Sequence, residues 1–138
     1  MEMIFKGRAI SKFSGEGEAL VSKQPMSFFG GIDRNGIVRE RDHDLYGMDI
    51  TGKILVFPRG KGSTVGSYVI YQLKKNGHAP AGIINIESEP IIATGCIIAE
   101  IPLIDRLEVN PLEKIRTGDY VLIDGKNGLV VVRRGKFE

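Results

Sequence analysis

The stretch Lys53-Ile54-Leu55-Val56-Phe57-Pro58-Arg59-Gly60-Lys61-Gly62-Ser63-Thr64 decides how this chain is read. It opens with an apolar, β-branched run of strand length. Behind it, residues 65–76 show helical spacing: Val65, Val69 and Leu73 recur every four residues, Asn76-Gly77 supplies a stop, and Pro80 lies beyond. A strand that turns through glycines into a helix brings unpaired amide N–H groups and the positive end of the helix dipole to one point, where a phosphate or carboxylate can dock. Gly60 and Gly62 lack a Cβ, so the backbone can take positive φ angles and approach a ligand closely. Ser63 falls where a helix N-cap belongs, and Arg59 and Lys61 add positive charge.

Two nucleotide motifs come close and fail. A Walker A loop needs Ser or Thr directly after Gly-Lys, whereas Gly62 follows Lys61. Gly60, Gly62 and Gly66 are spaced G-x-G-x-x-x-G, which misses the dinucleotide fingerprint, and Pro80 stands where an acidic ribose ligand is needed. What remains is an anion-cradling turn with a hydroxyl at its middle. The residues alone leave two accounts level. In one, Ser63 or Thr64 only caps the helix, which stabilises it by about 0.5–2 kcal/mol. In the other, Ser63 is a base whose alkoxide is stabilised by Lys61, Arg59 and the helix N-terminus.

On the N-terminal side, residues 3–10 read as a first strand, Ser14-Gly15-Glu16-Gly17 as a turn, and residues 18–22 as a second strand that pairs with the first in a hairpin. Residues 23–49 form a long irregular connection broken by Pro25, Gly30-Gly31, Asn35-Gly36 and the charged run Arg39-Glu40-Arg41-Asp42. Within it, His43 reads as a surface-loop residue, because no second histidine or cysteine stands in register with it. On the C-terminal side, residues 81–85 read as a buried strand. Residues 90–99 read as a helix opened by Pro90 and weakened by Gly95, and residues 101–104 as a short strand with Pro102 at its start or at an edge. Tyr120-Val121-Leu122-Ile123 and Leu129-Val130-Val131-Val132 flank a glycine-rich turn, a hairpin signal. The expectation is an α/β fold with a sheet or barrel-like core and a few helices packed outside, as a single domain over residues 1–138.

The balance of 19 basic against 17 acidic residues argues against nucleic acid or an anionic membrane surface as partner. The Arg133-Arg134-Gly135-Lys136 tail reads as a solvated, frayed end. No apolar signal core is visible near the start, and the most apolar stretch, residues 91–99, is too short to span a bilayer, so the expected location is the cytoplasm. The lone Cys96 fits a reducing compartment, and one cysteine holds neither an iron–sulfur cluster nor a structural zinc. It reads as a small buried hydrophobe.

The run from Gly52 through Pro58-Arg59-Gly60-Lys61-Gly62-Ser63-Thr64 to Tyr68 resembles the swivelling-domain small subunit of the aconitase X family. So do Glu89-Pro90-Ile91-Ile92-Ala93-Thr94-Gly95, Ile101-Pro102-Leu103 and Thr117-Gly118-Asp119-Tyr120-Val121, and the similarity covers nearly the whole chain. The resemblance implies a swivelling β/β/α domain. It also implies a hydro-lyase active only as a heterodimer with a larger subunit, which carries a [4Fe-4S] cluster that this chain does not hold. The implied reaction removes water from (R)-mevalonate 5-phosphate, a small phosphorylated hydroxy acid, to give trans-anhydromevalonate 5-phosphate in the archaeal mevalonate pathway to isoprenoids.

By the same resemblance Ser63 is the proton acceptor, taking the proton α to the substrate carboxylate while an iron of the partner's cluster acts on the departing hydroxyl. Arg59, Gly60, Lys61, Gly62 and Thr64 are then the residues that hold the substrate. Aconitases proper have an arginine two places after that serine, whereas this chain has Val65, which points away from citrate as substrate. Two alternatives stand beside this one: a dehydratase of cis-3-hydroxyproline type, and a non-catalytic module that binds anions with the same turn.

Overall fold

The computed structural model describes residues 1–135. In chain order its elements are β1 (Glu2–Lys6), β2 (Arg8–Ser11), β3 (Ser14–Val21), β4 (Ile54–Phe57), α1 (Gly66–Lys75), β5 (Gly82–Asn85), α2 (Pro90–Ala99), β6 (Leu103–Asp105), α3 (Pro111–Lys114), β7 (Tyr120–Asp124) and β8 (Leu129–Arg133). The strands form one sheet in the order β1-β8-β7-β3-β4-β5-β6-β2. From β3 to β6 neighbours run parallel, with Leu20 opposite Leu55, Leu55 opposite Ile83, and Ile83 opposite Leu103. The remaining pairs are antiparallel.

Every residue of β4 and β5 is buried, which explains the uninterrupted apolar run of β4 and the Ile83-Ile84 centre of β5: a strand covered on both faces has no solvent side to alternate toward, and the polar Asn85 that ends β5 donates to the Phe57 carbonyl. Leu55, Phe57, Ile83 and Leu103 face one core, shared with Ile70 and Leu73 of α1 and with Ile92, Cys96 and Ala99 of α2. Ile54, Val56, Ile84 and Ile104 face a second core, shared with Val121, Ile123, Val130 and Val132 of the C-terminal hairpin. The result is three layers: the antiparallel part of the curled sheet, its mainly parallel part with β2 antiparallel at the edge, and a pair of helices. β3 belongs to both parts of the sheet, pairing with β7 through Ser14–Glu18 and with β4 through Ala19–Val21.

The N-terminal expectations need correction. Residues 3–10 are two strands broken at Gly7, where a Cβ would lie 2.5 Å from Leu107 and 2.9 Å from the Asp105 carbonyl. β1 and β2 stand at opposite ends of the strand order although one residue joins them, so the sheet curls round on itself. Residues 14–17 are the first half of β3 rather than a turn. Gly15 and Gly17 are there because a Cβ would strike the carbonyls of Ala81 and Gly52. The expected N-terminal hairpin is absent among the described residues, since β1 pairs with β8 and β3 with β7 and β4.

Of the expected stripe on the helix after the glycine turn, Leu73 is buried and Val69 packs against the core, whereas Val65 does not. Gly66, Ile70 and Leu73 face the core, while Val65 is 44% exposed. Gly95, expected to weaken α2, lets the two helices meet: a Cβ on it would lie 2.8 Å from Ile70 Cδ1 and 3.2 Å from Ser67 Cα. Glu89 caps α2, its carboxylate accepting the Ile91 and Ile92 N–H groups at 2.9 Å each.

Residues 23–49 lack regular secondary structure but are not a solvated loop. Met26, Phe28, Ile32, Val38 and Leu45 fill the helix-side core. His43 is buried, which corrects its surface reading. Its Nδ1 accepts the Leu45 N–H at 3.1 Å, so its ring proton sits on Nε2 and donates to the Pro25 carbonyl, also at 3.1 Å. The C-terminal tail is pinned rather than frayed as far as Arg134, which makes two bonds to Asp119 at 2.8 and 2.9 Å, and Lys136 lies outside the described residues. No described helix is long and apolar enough to cross a membrane.

Candidate functional site

Strand β4 ends at Phe57, and the turn leaves from a buried Pro58 whose carbonyl accepts the Ile86 and Glu87 N–H groups. Gly60 is buried against α2, and a Cβ on it would collide with Glu89 Oε1 and Ile92. Met26 clamps this point from the other side: its N–H donates to the Arg59 carbonyl at 3.1 Å, and its carbonyl accepts the Lys61 N–H at 3.0 Å. The irregular connection is therefore the second wall of the turn. Gly62 has φ of +96°, a conformation that L side chains rarely adopt, and its missing Cβ leaves room for Ser27 Oγ.

Beyond Gly62 the chain emerges, with residues 62–65 all exposed. Among the described residues the amide N–H groups of Gly62, Ser63 and Thr64 meet no acceptor. Ser63 is not the N-cap of α1. That position is Val65, which makes no side-chain capping bond, and the Ser63 hydroxyl oxygen instead accepts the Val65 N–H at 3.1 Å. Since Oγ is the acceptor in this bond, its own proton is free to point outward. A group here that gains negative charge is favoured by the Val65 N–H and by the positive end of α1, whose first turn holds no acidic residue.

The two cations of the turn differ in what they meet. The Lys61 ammonium lies 2.6 Å from the Glu40 carboxylate. Arg59 is exposed and has no ion pair among the described residues, and its charge lies toward Glu87. The Glu87 carboxyl is held below its usual range first by its hydrogen bond to Arg106, against the opposing effect of burial, with smaller help from Arg8 and Arg59. Thr64 faces a small cleft of about 310 Å³, which it shares with Ser67, Pro90, Ile91 and Thr94. An apolar groove of about 430 Å³ runs along α1, lined by Phe29, Ile32, Val65, Tyr68, Val69 and Leu73. Phe29 and Tyr68 are more than half exposed.

The turn thus gathers the sequence-derived set of Arg59, Gly60, Lys61, Gly62, Ser63 and Thr64 in one place but divides it in two. Gly60 faces inward as a packing residue, and the others face solvent. Sequence reasoning missed Met26, Ser27 and Glu40, which approach from residues 23–49. The one available signal was that so long a connection carried buried-type apolar residues between its glycines.

Among the described residues no three His, Cys, Asp or Glu side chains converge as a metal site. Cys96 is fully buried within α2, and burial pushes its thiol well above the usual range. These residues do not fit an iron–sulfur cluster.

Residues 4–132 match the family model described as the aconitase X swivel domain. The small subunit of phosphomevalonate dehydratase from Methanosarcina mazei is 60% identical over 127 residues, covering 91% of this chain and 88% of that protein. The protein of the same name from Methanocaldococcus jannaschii is 53% identical over 130 residues, 94% of this chain and 98% of its own length. Crystalline Thermococcus kodakaraensis aconitase X in its holo-form superimposes with a TM-score of 0.90 at 50% identity, over 96% of this chain and 99% of that one. A UPF0107 protein solved in solution by NMR superimposes at 0.87 with 48% identity, over 96% of this chain and the whole of that one. Matched along nearly its whole length in sequence and in fold, the chain belongs to the aconitase X swivel domain family.

Proposed function

We propose that this chain is the small subunit of a phosphomevalonate dehydratase, a hydro-lyase that removes water from (R)-mevalonate 5-phosphate, and that its contribution to the reaction is the turn at residues 58–64. The observation that carries this reading is the state of Ser63: exposed, with its oxygen already accepting the Val65 N–H and its proton free, beside three unpaired amides. Ser63, ionised by losing its proton to solvent, takes the proton from the carbon α to the substrate carboxylate and so becomes a neutral hydroxyl again. The electron pair of that C–H bond forms the double bond as the neighbouring C–O bond breaks, and the departing hydroxide takes up a proton from solvent to leave as water. The amides of residues 62–64 and the cations Lys61 and Arg59 hold the substrate's anionic groups and favour the ionised serine, with Thr64 at the rim and Gly60 shaping the turn from within. Relatives with 52–60% identity that bear this enzyme's name support the substrate.

Kinship with aconitase X points to an iron–sulfur enzyme, and on this reading the large subunit holds the cluster, in keeping with the lack of a converging ligand set among the described residues of this chain. The exposed Phe29, Val65 and Tyr68 beside Ser63 support a covering large subunit, since lone soluble chains rarely leave so contiguous an apolar surface next to a polar site. On this reading the chain is one swivel domain closing over the partner.

The test is anaerobic reconstitution with the large subunit of the same source, followed by detection of trans-anhydromevalonate 5-phosphate. Product from the pair and none from either chain alone is the expected result. A formed complex with an intact cluster that leaves mevalonate 5-phosphate untouched but dehydrates cis-3-hydroxyproline overturns the substrate. A complex inert toward both classes leaves the turn as an anion-binding module.

A further inference from the structure

Lys61 is already engaged. Its Nζ lies 2.6 Å from Glu40 Oε2, and the pair borders an open cleft of about 450 Å³ lined also by Ser27, Phe29, Gly30 and Gly62. Glu40 is held in place from both sides. Its carbonyl accepts the N–H of the buried His43 at 3.1 Å, and its neighbour Arg39 donates from its amide to Gly31 at 2.8 Å and from its side chain to Asp33 at 2.8 Å. The pair is only partly exposed, so a ligand entering the cleft meets a preformed contact rather than a freely waving lysine.

A lone ammonium beside three unpaired amides would collect any small anion. A carboxylate lodged on it removes one unit of charge and sets a threshold, because the entering group must offer Lys61 more than Glu40 does. A single carboxylate exchanges like for like. A phosphate group, with close to two negative charges and three acceptor oxygens, offers the ammonium and the amides of residues 62–64 more than one carboxylate can. We infer that Glu40 is a specificity residue: it occupies Lys61 in the unliganded subunit and yields it to a dianionic phosphate group. This rests on the anion-site reading proposed above.

The experiment is an amide NMR titration of the full chain at constant ionic strength, with inorganic phosphate and with acetate as separate probes. Wild type, Glu40→Gln, Glu40→Asp and Lys61→Gln are compared. In wild type, phosphate shifts the amides of residues 62–64 and acetate does not. Glu40→Gln binds phosphate about threefold more tightly and admits acetate, in line with the modest strength of a partly exposed ion pair. Glu40→Asp keeps the charge but shortens the reach, and it shows part of the same loss of discrimination. It serves as the reporter if Glu40→Gln loses its dispersed spectrum. Lys61→Gln removes the phosphate response.

Equal phosphate affinity and equal rejection of acetate in the Glu40 variants and wild type overturn the role of Glu40 while the anion site stands. Phosphate that leaves the 62–64 amides unmoved in every protein overturns both.

Discussion

The hydroxyl of Ser67 donates to the carbonyl of Ile91 at 2.7 Å, tying α1 to α2 one helical turn beyond Ser63. Two serines four residues apart thus have separable duties. Ser67 is a joint between helices, whereas Ser63 accepts one amide at an exposed rim where water can replace it. Ser63→Ala is therefore expected to change stability by no more than about 0.5 kcal/mol. Its effect on kcat of the reconstituted enzyme is a fall of about 10²-fold or more. Ser67→Ala reverses the pattern, costing about 1 kcal/mol with kcat retained. Thermal unfolding and saturating turnover, measured on both variants, check the pair. Equal loss of kcat in both would remove Ser63 from its role.

Gly60 separates packing from binding within the same turn. A methyl group on it meets the Glu89 carboxylate that caps α2 and the buried Ile92 side chain, so Gly60→Ala is expected to lower stability by about 1–3 kcal/mol through overpacking. Gly62→Ala acts through the backbone: φ of +96° disfavours an L residue by about 1–2 kcal/mol, and Ser27 must also shift. Gly118→Ala, at φ of +99° with no neighbour within 4 Å, isolates the conformational part. Denaturant midpoints rank the three, and Gly118→Ala should be the mildest.

Asp119 and Arg134 give the fold a definite acid response. Burial pushes the Asp119 carboxyl up, but the paired Arg134 side chain and the Arg116 amide outweigh it and hold the carboxyl below its usual value. A carboxyl depressed in the folded state adds stability that is present above the unfolded value of about 3.9 and is lost as pH falls through the folded value. Wild type should thus exceed Asp119→Asn in stability at pH 7, with the gap closing below about pH 4. A gap that stays constant from pH 7 to pH 3 would mean that the pair contributes nothing through its charge.

What was legible in the sequence was what local chemistry decides. The run 54–57 declared itself by continuous burial-type residues, α2 by Pro90, and the hairpin of β7 and β8 by apolar runs flanking glycines. Where glycine serves a distant neighbour, the reading failed. Gly15 and Gly17 look like turn residues until the carbonyls of Ala81 and Gly52 are seen to lie over them. In α1 the Val69 and Leu73 part of the stripe was legible, but Gly66 and Gly95, which set the helix contact, carry no hydrophobic signal. Within the site the turn was legible because strand, glycines and helix are contiguous. The pairing of Glu40 with Lys61 spans 21 residues with no periodicity to announce it.

His43 shows how far the irregular connection depends on one buried side chain. Its ring links the Pro25 carbonyl to the Leu45 amide, and Asp44 beside it takes the Ser22 hydroxyl at 2.6 Å and the Lys23 N–H at 3.1 Å. His43→Ala strands both backbone partners in a buried setting, at a cost of about 1–3 kcal/mol for a lost acceptor or donor. The damage falls on the segment that carries Met26 and Glu40, and hence on the wall of the turn. Hydrogen exchange should therefore quicken at the amides of Met26 and Lys61, which bond across that wall, while the amides of β7 and β8 in the other core keep their protection. Uniform acceleration across both regions would show that His43 supports global stability and has no local hold on the site.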